Sequence, residues 1–118
     1  MRTSSETDFS IHLPDVGEFT FGRRTMGDLI KIRAMYLVLI GETENDWQMD
    51  LFCSFTSAYN TLVVAHPSGW SDDLEKLDLN SVSLEKVTEL AALLAEKESS
   101  FRKAANAESA QTGSGIIG

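Results

Sequence analysis

Apolar and polar residues alternate in two short runs near the amino terminus. In FSIHL the first, third and fifth residues are apolar, and in the later EFTF two phenylalanines alternate with polar residues. A period of two is typical of a strand with one buried face. Between the runs, Pro-Asp-Val-Gly favours a turn, because Pro presets φ, Asp bonds nearby backbone and Gly accepts a positive φ. The pattern predicts an antiparallel β-hairpin over residues 9–22.

A first helix is predicted over residues 25–40. Thr25 can cap it, with Asp28 three residues later as a form of the capping box, and Gly41 is a natural stop. From Ala34 onward, apolar residues fall on every side of this helix. A helix that is apolar all round has to be covered all round, so either the rest of the domain or a partner protein buries it.

Two further helices are predicted, over residues 46–65 and 82–105. The second helix has an apolar face that includes Trp47, Phe55 and Leu62, and it ends before Pro67, which disfavours helical backbone at the preceding residue. Residues 1–8 and 106–118 contain little apolar material and are predicted to be flexible. The expected fold is α+β and mostly α: one domain over residues 9–105, with an amino-terminal hairpin, about three helices and a flexible carboxyl-terminal tail.

The charge of the chain is concentrated in its middle third. Residues 42–78 hold eight acidic side chains and one basic, a net of −7 out of −8 for all 118 residues. Such a field repels nucleic acid and favours a basic partner, although acidity also serves solubility alone. The longest apolar run is seven residues, against roughly 20 for a membrane span, so no membrane partner is expected. One cysteine cannot form an internal disulfide, which indicates a reducing cytoplasm.

No group of residues has the spacing of a catalytic, cofactor or metal site. His12 and His66 have no Cys or second His at ligand spacing, and Cys53 follows apolar residues as a buried thiol would. The acidic run 72–78 lacks the spacing of a calcium loop. The final six residues spell GxGxxG, but no helix follows them to bind a phosphate. We therefore expect neither an enzyme nor a cofactor.

Four large side chains are the candidates for contact with a partner protein. Trp47 and Trp70 can anchor an interface or fill the core of a small domain. Met35 and Tyr36 lie on the uniformly apolar half of the first helix, where ordinary core packing is the competing interpretation.

Several short segments resemble the tail assembly chaperones of tailed phages. They are LPDVGEFTF followed by Arg-Arg-Thr-Met at 23–26, a Leu-Ile-Gly helix end at 39–41, a second helix led by Trp, Pro-Ser-Gly-Trp at 67–70, and EKESSFR at 96–102. The resemblance spans residues 9 to 102. It implies a cytoplasmic protein that binds the tape-measure protein and keeps it soluble until tail-tube subunits assemble around it. The tail-tube protein is a further implied partner.

Two other functions stay open on the sequence. The acidic middle third could imitate the phosphates of a nucleic acid, which would make the chain an inhibitor of a host nucleic-acid-binding complex. A structural component of a phage tail or capsid is the remaining alternative.

Overall fold

The computed structural model describes residues 1–41, 43–44 and 46–117, with side chains described as far as residue 107. It confirms an α+β, mostly helical fold with an amino-terminal hairpin and three helices. A flexible tail is predicted for residues 106–118, and side chains are described for only the first two of these residues. In chain order the elements are β1 Phe9–Leu13, β2 Gly17–Phe21, α1 Met26–Ile40, α2 Trp47–Leu62, β3 Val63–Ala65, a 3-10 turn Leu74–Lys76 and α3 Leu84–Ile117.

The hairpin forms as the alternation predicts. Phe9 pairs with Phe21 and Ile11 pairs with Phe19, so the apolar side chains of both strands share one face. The turn contains two residues with positive φ, Asp15 at 66° and Gly17 at 140°. Glycine is favoured at position 17 for two reasons: it accepts the positive φ, and a Cβ there would approach Pro67 Cγ to 3.2 Å.

The carboxyl end of the second helix differs from the prediction. The helix stops at Leu62 instead of residue 65, and residues 63–65 form the short strand β3 on the free edge of β2. The N–H of Gly22 donates to the Leu62 carbonyl oxygen at 2.8 Å, and the N–H of Arg2 donates to that of Val63 at 3.1 Å. The β-branched pair Val63 and Val64 favours this extended pairing, which bonds backbone groups that the end of a helix leaves unsatisfied.

Tyr59 of α2 lies at the centre of the core and is fully buried. Its ring meets the rings of Phe19, Phe21 and Phe55 edge to face, with centroids 5.8 to 6.3 Å apart. Its hydroxyl donates to the Ser71 carbonyl oxygen at 2.8 Å, which satisfies the one polar atom of the ring. Around this cluster, α3 contributes Val87, Leu90 and Leu94.

The helix α1 is fixed mainly at its amino end. Thr25 and Asp28 form the predicted capping box, in which each side chain accepts the backbone N–H of the other. Arg2 reaches the same carboxylate at 2.8 Å. This ion pair ties the start of the chain to the domain, in contrast to the flexible segment predicted for residues 1–8. Along its length α1 packs mainly against α2.

The third helix begins at Leu84, two residues after the predicted start, and extends to Ile117, past the predicted end at 105. Arg24 forms two hydrogen bonds with Glu98 of this helix, Nε to Oε2 at 3.1 Å and Nη2 to Oε1 at 2.8 Å. Two parallel bonds of this kind fix the orientation of both groups. No helix in the described part of the chain is long and apolar enough to cross a membrane.

We predict that Phe19→Ala lowers the free energy of unfolding by about 3–5 kcal/mol, because it empties the centre of the aromatic core. Leu79→Ala is the control, since Leu79 is 58% exposed and should change stability by less than about 0.5 kcal/mol. Urea unfolding followed by circular dichroism measures both. Equal losses for the two variants would contradict the position of the core.

We also predict that the stability of the fold depends on pH through the carboxyl group of Asp28. Burial raises the pKa of this carboxyl, but the hydrogen bonds from Arg2 and Thr25 outweigh it, and the pKa lies below its ordinary value of 3.8. Because the folded-state pKa is the lower one, the stabilisation is present above pH 4 and is lost as the pH falls through that pKa.

Asp28→Asn should therefore cost about 1–2 kcal/mol at neutral pH. It should also reduce the loss of stability between about pH 5 and pH 2. Urea midpoints across this range test the prediction, with the exposed Glu44→Gln as control. If the urea midpoint of Asp28→Asn fell between pH 5 and pH 2 as steeply as that of the wild type, the prediction would be wrong.

Candidate interaction surface

The most unusual surface of the molecule is the outer side of α1. Five large apolar side chains of this helix are between 49% and 71% exposed. We call them the α1 apolar face: Met26, Leu29, Ile30, Leu37 and Val38. Single exposed apolar residues are common, whereas several on one side of one helix make that side a candidate interaction surface.

This surface exists because α1 lies at the edge of the domain. Only Asp28 and Ile32 are buried on the helix, and both point toward the rest of the fold. The sequence indicated that either the rest of the domain or a partner protein would bury this helix on all sides. Among the described residues, α2 covers the inner side, and the five exposed side chains show that nothing covers the outer side.

Met35 and Tyr36, the predicted partner-facing residues of α1, are both half-buried. The Tyr36 hydroxyl donates to Asp50 of α2, and this hydrogen bond raises the pKa of Tyr36. Tyr36 therefore helps to join the two helices. Along α1, Met35 is on the opposite side from Ile30 and Leu37, by the 3.6-residue repeat. Tyr36 thus borders the exposed surface and Met35 lies opposite it, so neither residue that the sequence singled out forms its centre.

Trp47 and Trp70 lie in different environments, one exposed and one buried. Trp47, assigned to the core face of α2, is 75% exposed. It is the first residue of its helix, and the contact of α1 with this first turn is made by Asp50 instead of Trp47. Trp70 is 8% exposed and meets the Phe19 ring edge to face at 4.8 Å. Trp70 is therefore packed in the core, which is one of the two environments that the sequence left open.

The two histidines considered as metal or catalytic residues form hydrogen bonds with nearby side chains. His12 bonds to Glu18 across the hairpin at 2.8 Å, and His66 Nε2 lies 2.9 Å from Asp72. The hydrogen bond from His66 lowers the pKa of Asp72. Cys53 is buried, and burial raises the pKa of its thiol, as for an unreactive core cysteine. Within the described residues no group of His, Cys, Asp and Glu could hold a metal ion.

The carboxylates of the acidic middle third are used for local structure. Asp46 and Asp73 accept backbone N–H groups at helix starts, and Asp78 accepts those of a turn. They also form two groups: Asp46 and Asp50 lie at the amino end of α2, while Asp73 bonds to Asn60 near its carboxyl end. Ten residues of helix separate Asp50 from Asn60, which is about 15 Å.

Among the described residues, neither arginine after the hairpin, Arg23 or Arg24, forms an ion pair with this acidic segment. Arg24 instead binds Glu98, and the Arg23 guanidinium lies over the Phe101 ring, with Cζ 3.5 Å from its centre. Both contacts are with residues of α3 that lie more than 70 positions later in the sequence. The GxGxxG at residues 113–118 falls on side chains outside the described part.

Comparison with protein-family models, with curated proteins and with solved structures found no match to this chain. The likeness to tail assembly chaperones therefore stays a prediction from the sequence. The surface described above is the independent basis for a functional proposal.

We predict that the two tryptophans differ in solvent access. Trp70→Phe leaves only the exposed Trp47, so its fluorescence should be red-shifted and strongly quenched by iodide. Trp47→Phe leaves only the buried Trp70, so its emission should be blue-shifted and protected. Trp47→Phe should also change stability by less than about 0.5 kcal/mol, as expected for a surface residue. Equal quenching in the two variants would contradict the assignment.

Proposed function

We propose that this protein is a tail assembly chaperone of a tailed phage or prophage. In this role it binds the tape-measure protein in the host cytoplasm and keeps it soluble until the tail tube forms. It performs no catalysis. The α1 apolar face is the observation that carries the proposal, because it offers a helix-sized apolar surface to a partner.

The physical basis is helix recognition by an apolar surface. A tape-measure chain is long and helical, and its apolar stripes aggregate when they are left exposed. An amphipathic helix binds an apolar groove or face through residues spaced three, four and seven apart. Met26, Ile30 and Leu37 are spaced four and seven residues apart and fall along one side of α1. Trp47 is a further exposed apolar side chain, on the helix that packs against α1.

The acidic-mimic alternative is less well supported by the arrangement of charges. A mimic needs a row of solvent-directed carboxylates at the spacing of phosphates. Here several carboxylates already accept local hydrogen bonds, and the described ones form two groups about 15 Å apart along α2. The clustered charge serves solubility and local capping.

The test is co-expression with the tape-measure protein of the phage or prophage that carries this gene. The wild-type chain should raise the soluble fraction of that protein. The double variant Ile30→Glu/Leu37→Glu should lose at least about 90% of this effect, since two charges in a buried apolar contact cost several kcal/mol.

Leu79→Glu is the matched control, because it places the same charge at an apolar residue that is exposed elsewhere. It should behave as the wild type. Far-UV circular dichroism confirms that each variant is folded. Unchanged solubility of the tape-measure protein with wild-type chaperone would contradict the proposed function. Full activity of the double variant would contradict the role of the α1 apolar face.

A further inference from the structure

The exposed charges carried by α1 itself are both positive. Lys31 and Arg33 are both exposed and lie on opposite sides of the line formed by Met26, Ile30 and Leu37, by the 3.6-residue repeat. The one acidic residue of the helix, Asp28, is on the buried side, bound to Arg2. A chain with a net charge of −8 thus presents a cationic rim at its most apolar surface.

Neither cation is neutralised by the part of the chain that the structure describes. No described carboxylate lies within 4.0 Å of Lys31 or Arg33. Asp50 lines the same groove as Arg33 and accepts the Tyr36 hydroxyl, and its carboxylate forms no ion pair with Arg33 within 4.0 Å. Arg33 itself lies over the Tyr36 ring at 5.8 Å, a contact that leaves its N–H groups available.

A second copy of the chain does not fit this surface. Two α1 faces packed against each other would bring the cations of both copies together at one interface. The exposed side of the helix carries no carboxylate to offset them, because Asp28 is buried. Like charges at a helix interface oppose pairing, so the rim selects against self-association.

We propose that the α1 apolar face binds an amphipathic helix of a partner protein whose apolar stripe is flanked on both sides by carboxylates. The stripe packs on Met26, Ile30 and Leu37, and the flanking Glu or Asp side chains pair with Lys31 on one side and Arg33 on the other. This inference rests on the proposed function and specifies which helical segments of the partner are bound. Rim ion pairs of this kind set partner choice and orientation between helices.

Two synthetic helical peptides of about 20 residues test the selection, a length that permits helix formation in water. Both carry the same leucine stripe, with Glu at every flanking position in one and Lys in the other. The net charge of the chain favours the Lys-flanked peptide, whereas the local rim favours the Glu-flanked peptide. We expect the full-length protein to bind the Glu-flanked peptide about tenfold more tightly at low salt, with the ratio shrinking as salt screens the pairs.

The double variant Lys31→Glu/Arg33→Glu should reverse the preference. Lys97→Glu/Lys103→Glu is the matched control, because it makes the same change in net charge at exposed positions of α3 and should keep the wild-type preference. Circular dichroism checks that both variants are folded. Ile30→Glu/Leu37→Glu should abolish binding of either peptide.

Three results overturn the inference in distinguishable ways. Equal binding of both peptides, or tighter binding of the Lys-flanked one, refutes the selection and leaves the apolar docking face standing. Binding of neither peptide refutes the docking face itself, and with it the basis of the proposed function. Dimerisation of the chain alone that a peptide reverses would place a second copy on α1 and refute the choice of occupant.

Discussion

Tyr59 connects α2 to the sheet and to the loop that follows β3. Its ring packs on Phe19 and Phe21 of β2, and its hydroxyl holds the carbonyl of Ser71 in the loop after β3. Trp70, next to Ser71, completes the cluster against Phe19. Since the ring is fully buried and its polar atom is bonded, the position of α2 across the sheet is fixed within narrow limits.

The exposure of α1 follows from that arrangement. The apolar face of the hairpin is occupied by α2 together with Val87, Leu90 and Leu94 of α3. The helix α1 therefore packs mainly on α2, with its amino end held by Thr25, Asp28 and Arg2. An isolated helix of 15 residues is close to the lower limit of stability in water, so α1 depends on these few contacts. A partner helix on its outer side would stabilise it further.

The sequence predicted the elements whose signals are local. Strand alternation located the hairpin, and the Thr25–Asp28 box located the start of α1. It missed β3, because Val63–Ala65 continues a helical spacing and becomes a strand only when the edge of β2 lies beside it. Long-range ion pairs such as Arg24 with Glu98 leave no trace in periodicity.

The sequence predicted that α1 would carry a surface needing cover, but it did not predict which residues would form that surface. The apolar surplus of the first helix indicated that cover was needed, and the structure assigns the exposed part to Ile30 and Leu37 instead of Met35. Periodicity gave Trp47 a core position, yet α1 contacts the first turn of α2 through Tyr36 and Asp50 and leaves Trp47 75% exposed. Trp70 lies outside any periodic segment, so its burial depended on the tertiary contact with Phe19.

Hydrogen–deuterium exchange of the chain, alone and in complex with the tape-measure protein, tests the central claim most directly. If α1 is the docking element, its amides should exchange faster than those of the sheet in the free protein, because marginal segments open locally. Complex formation should then slow exchange most strongly over residues 26–40 and near Trp47. Protection confined to residues 72–78, or no new protection on α1 in a complex that does form, would contradict the account.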